Sequence, residues 1–579
     1  MAIWNRHSKA EGDMQEPYIE EGKDQYVVAN ASESKDLSDS GSNGEGQPTT
    51  KLHRGLKSRH ITMIAIGGAI GTGLIIGTGK ALARAGPASI LIAYTFVGLI
   101  VFAVMSALGE MAAWLPLGSG FSGYATRFCD PALGFALGYT YWFKYIIVTP
   151  NQLTAASLVI QYWVPATKVN PGVFITVFLV AIVLLNYIGV KYFGEFEFVL
   201  SSIKVVVICA LILLSLILAL GGGPNHDRTG FRYWKKPGAF HAYIMTGSSG
   251  KFLGFWSSMV TAVFAYLGTE LVGVTVGEAQ NPRKTIPRAI KLTFYRILFF
   301  YVFSVFLLGM IVPYNSKNLA FAAKQTNNTA SASPFVVAIQ IAGIKSLPGI
   351  LNGCILLFIF SAANSDLYIA ARTIYGLAVQ GKAPAILART DRRGVPVYAL
   401  GVSVIFCLLA YMNVSSDSKV VFGYFVNLVT QFGLLAWISI LVTHIYFIKA
   451  RIAQGVPETS LPYKAPAGIT GSYVALFFCI IISLTKNFDA FTKNPKTYGN
   501  FDYKSFVTGY LGIPLYLIMI FGYKLVTKEK PPGPLGADLF TGKAEIDREE
   551  QEFLAEEAAK SEARAKSGKL YEKWLGWLL

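Results

Sequence analysis

The sequence predicts an all-α polytopic membrane protein of twelve transmembrane helices, and three observations carry that expectation. Of 579 residues, 53% are hydrophobic and only 15% charged, whereas a soluble domain carries about 25% charged residues. Apolar runs of about 20 residues recur, the length a helix needs to cross a bilayer; they are continuous, unlike the short alternating segments of a β-barrel. Two runs are interrupted by glycine at matching places in two halves of the chain, the mark of an inverted-repeat transporter with broken helices one and six.

Taken in order, residues 1–50 are polar and rich in Ser, Glu and Gly. They read as a disordered cytoplasmic tail without a cleavable signal. Lys51, His53, Arg54, Lys57 and Arg59 form a basic collar before the first run, which places the N-terminus in the cytoplasm. The spans expected are 60–85, 88–115, 131–161, 172–190, 196–220, 252–277, 288–312, 347–379, 396–413, 418–448, 471–488 and 505–527. Together 51–527 form the transporter domain: repeat one 60–220, repeat two 252–448 (a 5+5 arrangement), then spans eleven and twelve in 471–527. The segment 528–579 opens on PPGPLG and continues as a charged, helix-favouring cytoplasmic tail ending YEKWLGWLL. A solvated helix is expected there, with interfacial docking of Trp574 and Trp577 the alternative.

Charge tests the orientation. Arg283, Lys284, Arg288 and Lys291 follow span six; Lys382, Arg389, Arg392 and Arg393 follow span eight; both loops come out cytoplasmic. Arg228, Arg232, Lys235 and Lys236 fall in an outer loop, 221–251, against the statistical rule. The sequon Asn327-Asn328-Thr329 also falls outside. The net charge of +17 flanks spans instead of forming a compact basic domain, so lipid headgroups and not nucleic acid are its expected partner. The five cysteines show no metal or disulfide spacing. No phosphate-binding loop and no nucleophile–base or metal constellation appears, so secondary transport is expected over an enzyme, with protons as coupling ion and no cofactor.

Lys144 is the most telling residue. It lies in the third span, GYTYWFKYIIVTPNQLTAASLVIQYW. A cation at the centre of a membrane helix costs ~2.5–3.5 kcal/mol on insertion scales and usually faces the bundle interior. Tyr139, Tyr141, Trp142 and Tyr145 surround it, so an interfacial aromatic belt with a snorkelling lysine is the competing reading. On an ideal helix Lys144 and Asn151 lie ~20° from one face and ~10.5 Å apart, although Pro150 makes that register uncertain.

Span one crowds Gly67, Gly68, Gly71, Gly73, Gly77 and Gly79. Either these glycines permit close helix packing, or the helix breaks near Ala69–Gly73 and its free N–H groups bind a carboxylate. A second break is expected in Phe264-Ala265-Tyr266-Leu267-Gly268-Thr269-Glu270. Lys204 in span five, Glu110 in span two and Glu270 in span six are buried titratable candidates for proton coupling, or else structural pairs between helices. Ser361, Asn364, Ser365 and Asp366 line a route or join helices. Glu195 and Glu197 read as helix-start charges.

The strings HRGLKSRHITMIAIGGAIGTGLIIGTG, LGEMAAWLP and FAYLGTELVGVTVGEAQNPRKTIPRAIK resemble the fungal amino-acid permease family of the amino acid–polyamine–organocation superfamily. The likeness runs from about His53 to the C-terminus. YIIVTPNQLTAASLVIQYW, GGGPNHDRTGFRYW and FSAANSDLYIAAR are most similar to its dicarboxylic amino-acid permeases, which import glutamate and aspartate.

The resemblance implies the inverted-repeat bundle, a plasma-membrane location, and a substrate site at Ala69, Gly71, Thr72, Gly73, Phe264, Ala265 and Gly268. In it Gly71-Thr72-Gly73 hold the α-carboxylate, Phe264-Ala265 offer carbonyls to the α-ammonium, and Phe264 closes over it. It also implies that many relatives carry glutamate where this chain has Gln152 and a small or amide residue where it has Lys144. A neutral Gln152 and a cationic Lys144 suit an acidic substrate, so Lys144, Asn151 or Gln152 is expected at its side-chain carboxylate. A lysine at the place of Lys204 stands in for sodium in proton-coupled relatives, and tail lysines are expected ubiquitin acceptors for trafficking machinery. The expected function is proton-coupled import of acidic amino acids; a broad or neutral permease and a non-transporting sensor are the rivals.

Overall fold

The computed structural model describes residues 71–117, 119–188, 190–274, 282–319, 333–414, 418–492 and 501–567. The tail 1–50, the basic collar, Ala69 with the first half of span one, the sequon, and Trp574 and Trp577 lie outside the described residues.

The described residues are helical. A π-helical turn, Gly73–Gly77, leads into α1 (Thr78–Ala85). Gly86, at φ +82°, turns the chain into α2 (Pro87–Trp114), with proline at its first position, where no N–H is needed. Then come α3 (Gly120–Phe128), α4 (Pro131–Ile160), α5 (Pro171–Ile188), α6 (Val190–Ala219), α7 (Gly247–Tyr266) and α8 (Leu271–Val274). α9 (Pro282–Arg296) continues through a π-helical stretch, Ile297–Phe303, into α10 (Ser304–Ile311). The second half holds α11 (Pro334–Ile341), α12 (Leu347–Val379), α13 (Val397–Cys407), α14 (Ser418–Ala453), α15 (Gly468–Thr485), α16 (Tyr503–Tyr510), α17 (Gly512–Thr527) and α18 (Lys543–Ser567).

Eight of these helical stretches are long and apolar enough to cross a membrane, or nine with the bent pair α16–α17. The expected spans that fail the test are 60–85, 131–161 and 252–277. The first is described only from Gly71, the last is broken after Tyr266, and α4 carries Lys144, Asn151, Gln152 and several threonines. The protein tolerates that polarity because α4 packs against α3, α12, α14 and α17 and is buried along most of its length. Two short helices lie where the sequence reading placed no element: α3 follows the second expected span and α11 the seventh.

Contacts sort the loops onto two faces. At one end of α2, Ala88 N–H donates to Ala239 O (2.9 Å) and His241 N–H to Ala85 O (2.9 Å), so the basic segment 221–246 covers the turn at Gly86. Tyr243 hydroxyl and Arg84 reach Asp489, beyond α15, on the same face. At the other end Trp114 Nε1 donates to Leu539 O (3.0 Å). Arg127 pairs with Asp538 (2.7 Å), Arg283 with Glu550 (2.6 Å), and Lys382 donates to Thr126 (2.8 Å). Twenty-seven helical steps of about 1.5 Å separate Pro87 from Trp114, about 40 Å. The loops expected inside therefore share one face with the C-terminal segment, and 221–246 sits on the other despite its charge. The solvated-helix expectation for that segment needs correction, because its first part is strapped to α2, α3, the start of α9 and, through Gln454 Nε2 to Ala537 O (2.7 Å), the end of α14.

Candidate functional site

A narrow hollow lies between the start of the π-helical turn, the end of α7, and the middles of α4 and α12. Its walls include Gly71, Thr72, Gly73, Lys144, Gln152, Phe264, Ala265, Gly268 and Asp366.

The first wall is the turn that begins at Thr72. A helix start leaves N–H groups without intrahelical partners, and Gly71 has open space where a Cβ would stand. Gly73 is different: a Cβ there would lie 2.5 Å from Ala265 Cα and 2.9 Å from Ala265 N. Gly77 would meet Thr261 Cγ2 at 3.0 Å. The close-packing reading holds at Gly73 and Gly77, which let the turn approach α7, and Gly71, Thr72 and Gly73 line the hollow.

The second wall is the break in span six. α7 ends at Tyr266; Leu267 is extended (ψ 141°) and Gly268 takes φ +96°. The break therefore falls at Leu267–Gly268, inside the expected segment, and Phe264 and Ala265 are still helical. A continuing helix would have Gly268 N–H donate to Phe264 O and Thr269 N–H to Ala265 O. Instead Gly268 N–H donates to the Glu270 carboxylate (3.2 and 3.3 Å) and Thr269 N–H to Tyr266 O (3.3 Å). The carbonyl of Ala265 is thereby released from the ladder.

α4 supplies the third wall through Lys144, Tyr145, Val148 and Gln152. The lining face is centred on Tyr145, Val148 and Gln152, at i, i+3 and i+7, about 100° round from the Lys144–Asn151 line. Lys144 reaches in from the edge because its side chain is long; Asn151 is too short to do so. Asn151 is fully buried outside the lining, with no hydrogen-bond partner for its amide among the described residues.

Lys144 is 1% exposed, so the snorkelling alternative is overturned. Its ammonium donates to Glu270 Oε1 and lies 4.9 and 4.7 Å from the ring centres of Tyr141 and Tyr145. Two sequence candidates, one assigned to substrate and one to protons, are thus a single ion pair across α4 and the break. Trp437 Nε1 on α14, at 3.4 Å, and Thr269 Oγ1, at 3.5 Å, also donate to Glu270.

A second polar link runs across the hollow. Thr72 Oγ1 donates to Gln152 Oε1 (2.9 Å), and Gln152 Nε2 donates to Asp366 Oδ2 on α12 (3.1 Å). Asp366 is a lining residue that the sequence reading left between lining a route and joining helices; an intramembrane carboxylate was the available signal.

The remaining candidates lie apart. Lys204 pairs with Glu197 at 3.5 Å, and Glu197 also accepts from Ser201 (3.1 Å) and Ser361 (2.8 Å). Glu197 is fully buried. Its reading as a helix-start charge is corrected, because α6 begins seven residues earlier. Ser361 and Asp366 are five residues apart on α12, about 7.5 Å, so the Lys204 pair flanks the hollow without lining it. Glu110 accepts from Ala465 N–H (2.7 Å) and stands 3.4 Å from His444 Nε2, a tie between α2, α14 and the loop before α15. Asn364 bonds to Asn186 (2.9 Å) and joins α5 to α12.

A family profile described as amino acid permease matches residues 60–533. The chain is 56% identical over 533 residues to the dicarboxylic amino acid permease of Saccharomyces cerevisiae, covering 91% of this chain and 86% of that protein. It is 41% identical to the proline-specific permease of the same yeast, over 88% of this chain and 81% of that one. To the yeast lysine-specific permease it is 40% identical, over 82% and 76%.

Proposed function

The chain belongs to the amino acid permease family, and from that premise we propose that it imports acidic amino acids, aspartate and glutamate, together with protons across the plasma membrane by alternating access. It is a multi-pass transporter of amino acids, not an enzyme. The observation that carries the acidic reading is Lys144, a buried ammonium on the wall of a hollow between two helix ends. The yeast dicarboxylic permease named above supports it.

In this reading a zwitterion lies across the hollow. The N–H groups at Gly71, Thr72 and Gly73 meet the α-carboxylate, and the freed carbonyl of Ala265 meets the α-ammonium. Phe264 covers the ligand. Lys144 and Gln152 meet the side-chain carboxylate. The same bundle is read as twelve spans in two inverted repeats, with both termini in the cytoplasm. The positions of α3 and α11, each following the second span of its half, support that pairing. Glu270 and the Lys204–Glu197 pair are the proton-coupling candidates nearest the hollow; Glu110 is remote from it.

Energetics constrain the cycle. An acidic amino acid is a monoanion at neutral pH, and moving it inward against an inside-negative potential costs ~2.3 kcal/mol per 100 mV. One proton cancels the charge and a second lets the potential drive uptake, so more than one proton accompanies each substrate. Counterflow in proteoliposomes across all natural amino acids tests the specificity, with aspartate and glutamate expected to exchange fastest. Equal exchange of neutral amino acids, or outward current during aspartate uptake at clamped voltage, refutes the proposal.

A further inference from the structure

Lys144 and Glu270 are not equivalent partners. Glu270 is anchored: beyond the lysine it accepts from Gly268 N–H, Thr269 Oγ1 and Trp437 Nε1. Lys144 has little else, namely the hydroxyl of Tyr145 at 3.5 Å and the ring faces of Tyr141 and Tyr145. Lys144 also lines the hollow, whereas Glu270 stands behind it. A ligand in the hollow therefore reaches the ammonium without touching Glu270, and Glu270 keeps its other donors if the lysine turns away.

We propose that the Lys144 ammonium is a shared cation, held by Glu270 while the hollow is empty and handed to the side-chain carboxylate of an acidic substrate as Glu270 takes up a proton. The inference rests on the acidic reading above and adds the coupling step to it. Without the proton, one ammonium would serve two buried carboxylates, and like charges sharing a site disfavour joint ionisation. With it, the substrate replaces Glu270 charge for charge. The balance is simple: hydronium from the outer solution gives its proton to a Glu270 oxygen and leaves water, and the reverse occurs on release inside. No other bond is made or broken.

The groups around Glu270 fit this exchange. α4 presents Lys144, Tyr141 and Tyr145; α14 presents Trp437; α9 presents Arg296, within electrostatic reach; Thr269 is on its own segment. Asp366 on α12 is within electrostatic reach of Lys144. It is held by Gln152 and remains a separate carboxylate. Because binding is linked, the proton must tighten aspartate as much as aspartate tightens the proton.

The test uses the purified full-length protein. Calorimetry of aspartate binding in buffers of different ionisation heat counts protons taken up, and proteoliposome flux gives protons carried per aspartate. The wild type is expected to take up at least one proton on binding. Glu270→Gln should retain aspartate binding, take up one proton fewer, and lose about tenfold per pH unit from the slope of KM against outer pH. Lys144→Met should lose aspartate binding at least tenfold, and Lys144→Met/Glu270→Gln should regain thermal stability and bind asparagine at least as well as aspartate. Unchanged proton counts in Glu270→Gln, or no proton uptake by the wild type, overturn the exchange. If Glu270→Gln does not fold, the wild-type count and the double variant decide. Failure of the wild type to bind aspartate at all would instead remove the acidic reading.

Discussion

Replacing Gly73 with alanine tests whether the two half-helices meet as described. The new Cβ would stand 2.5 Å from Ala265 Cα, 2.9 Å from Ala265 N and 3.0 Å from Phe264 O. Ordinary contact begins at 3.4 Å, and reaching it takes a separation of about 0.9 Å between the turn and α7. Backbone cannot rotate aside as a side chain can. Overpacking of this kind costs about 1–3 kcal/mol, against a gain of about 0.8–1.0 kcal/mol from replacing helical glycine with alanine. A shift of about 1 Å between binding groups can cost about a hundredfold in rate, so transport should suffer more than folding. The assay is initial aspartate uptake normalised to surface protein. Gly77→Ala, whose tightest new contact is the Thr261 methyl at 3.0 Å, is the steric control. Gly73→Ala should reach the membrane at reduced abundance and lose at least tenfold in uptake, while Gly77→Ala stays within a fewfold. Wild-type abundance and uptake in Gly73→Ala would refute the close approach.

Three further outcomes follow from polar contacts between helices and at the tail. Lys204→Met leaves the Glu197 carboxylate without its ammonium and should destabilise by about 3–5 kcal/mol; Lys204→Met/Glu197→Leu should recover most of that by thermal denaturation in detergent, and no recovery would argue that Lys204 is needed for more than the pair. Glu110→Ala removes the acceptor for Ala465 N–H and should cost about 1–3 kcal/mol with the aspartate KM within twofold; a large KM change with intact stability would make Glu110 part of the transport path. At the tail, burial alone would raise the Asp538 carboxyl, but the Thr541 N–H and hydroxyl and the Arg127 guanidinium outweigh it and hold it below the ordinary 3.8. A depressed folded value means stability that is present above about pH 4 and lost as pH falls through the folded value. Protection over α3, corrected for intrinsic exchange, should therefore be flat across neutral pH and fall only on strong acidification, and release near pH 6 would contradict the strap.

Eight or nine of the twelve expected spans were legible because length and apolarity decide them. The break in span six was legible from Gly268. The pairing of Lys144 with Glu270 was not, because 126 positions separate them in the chain and only the fold brings α4 against the break. Helical periodicity misplaced Asn151, since it took Lys144 as the centre of a face that the lysine joins only by reach. Glu197 was misread because the start of α6 lies further back than its apolar run. The tail's docking had no periodic signal: it depends on Asp538 and the Leu539 carbonyl meeting Arg127 and Trp114, far away in sequence.

Both polar crossings of the hollow start from one helix. α4 holds the span-six break through Lys144 and ties the span-one turn to α12 through Gln152. In the proposed cycle, exchanging either side chain for one suited to a different cargo also cuts a contact between α4 and its neighbours, so selectivity and speed are linked.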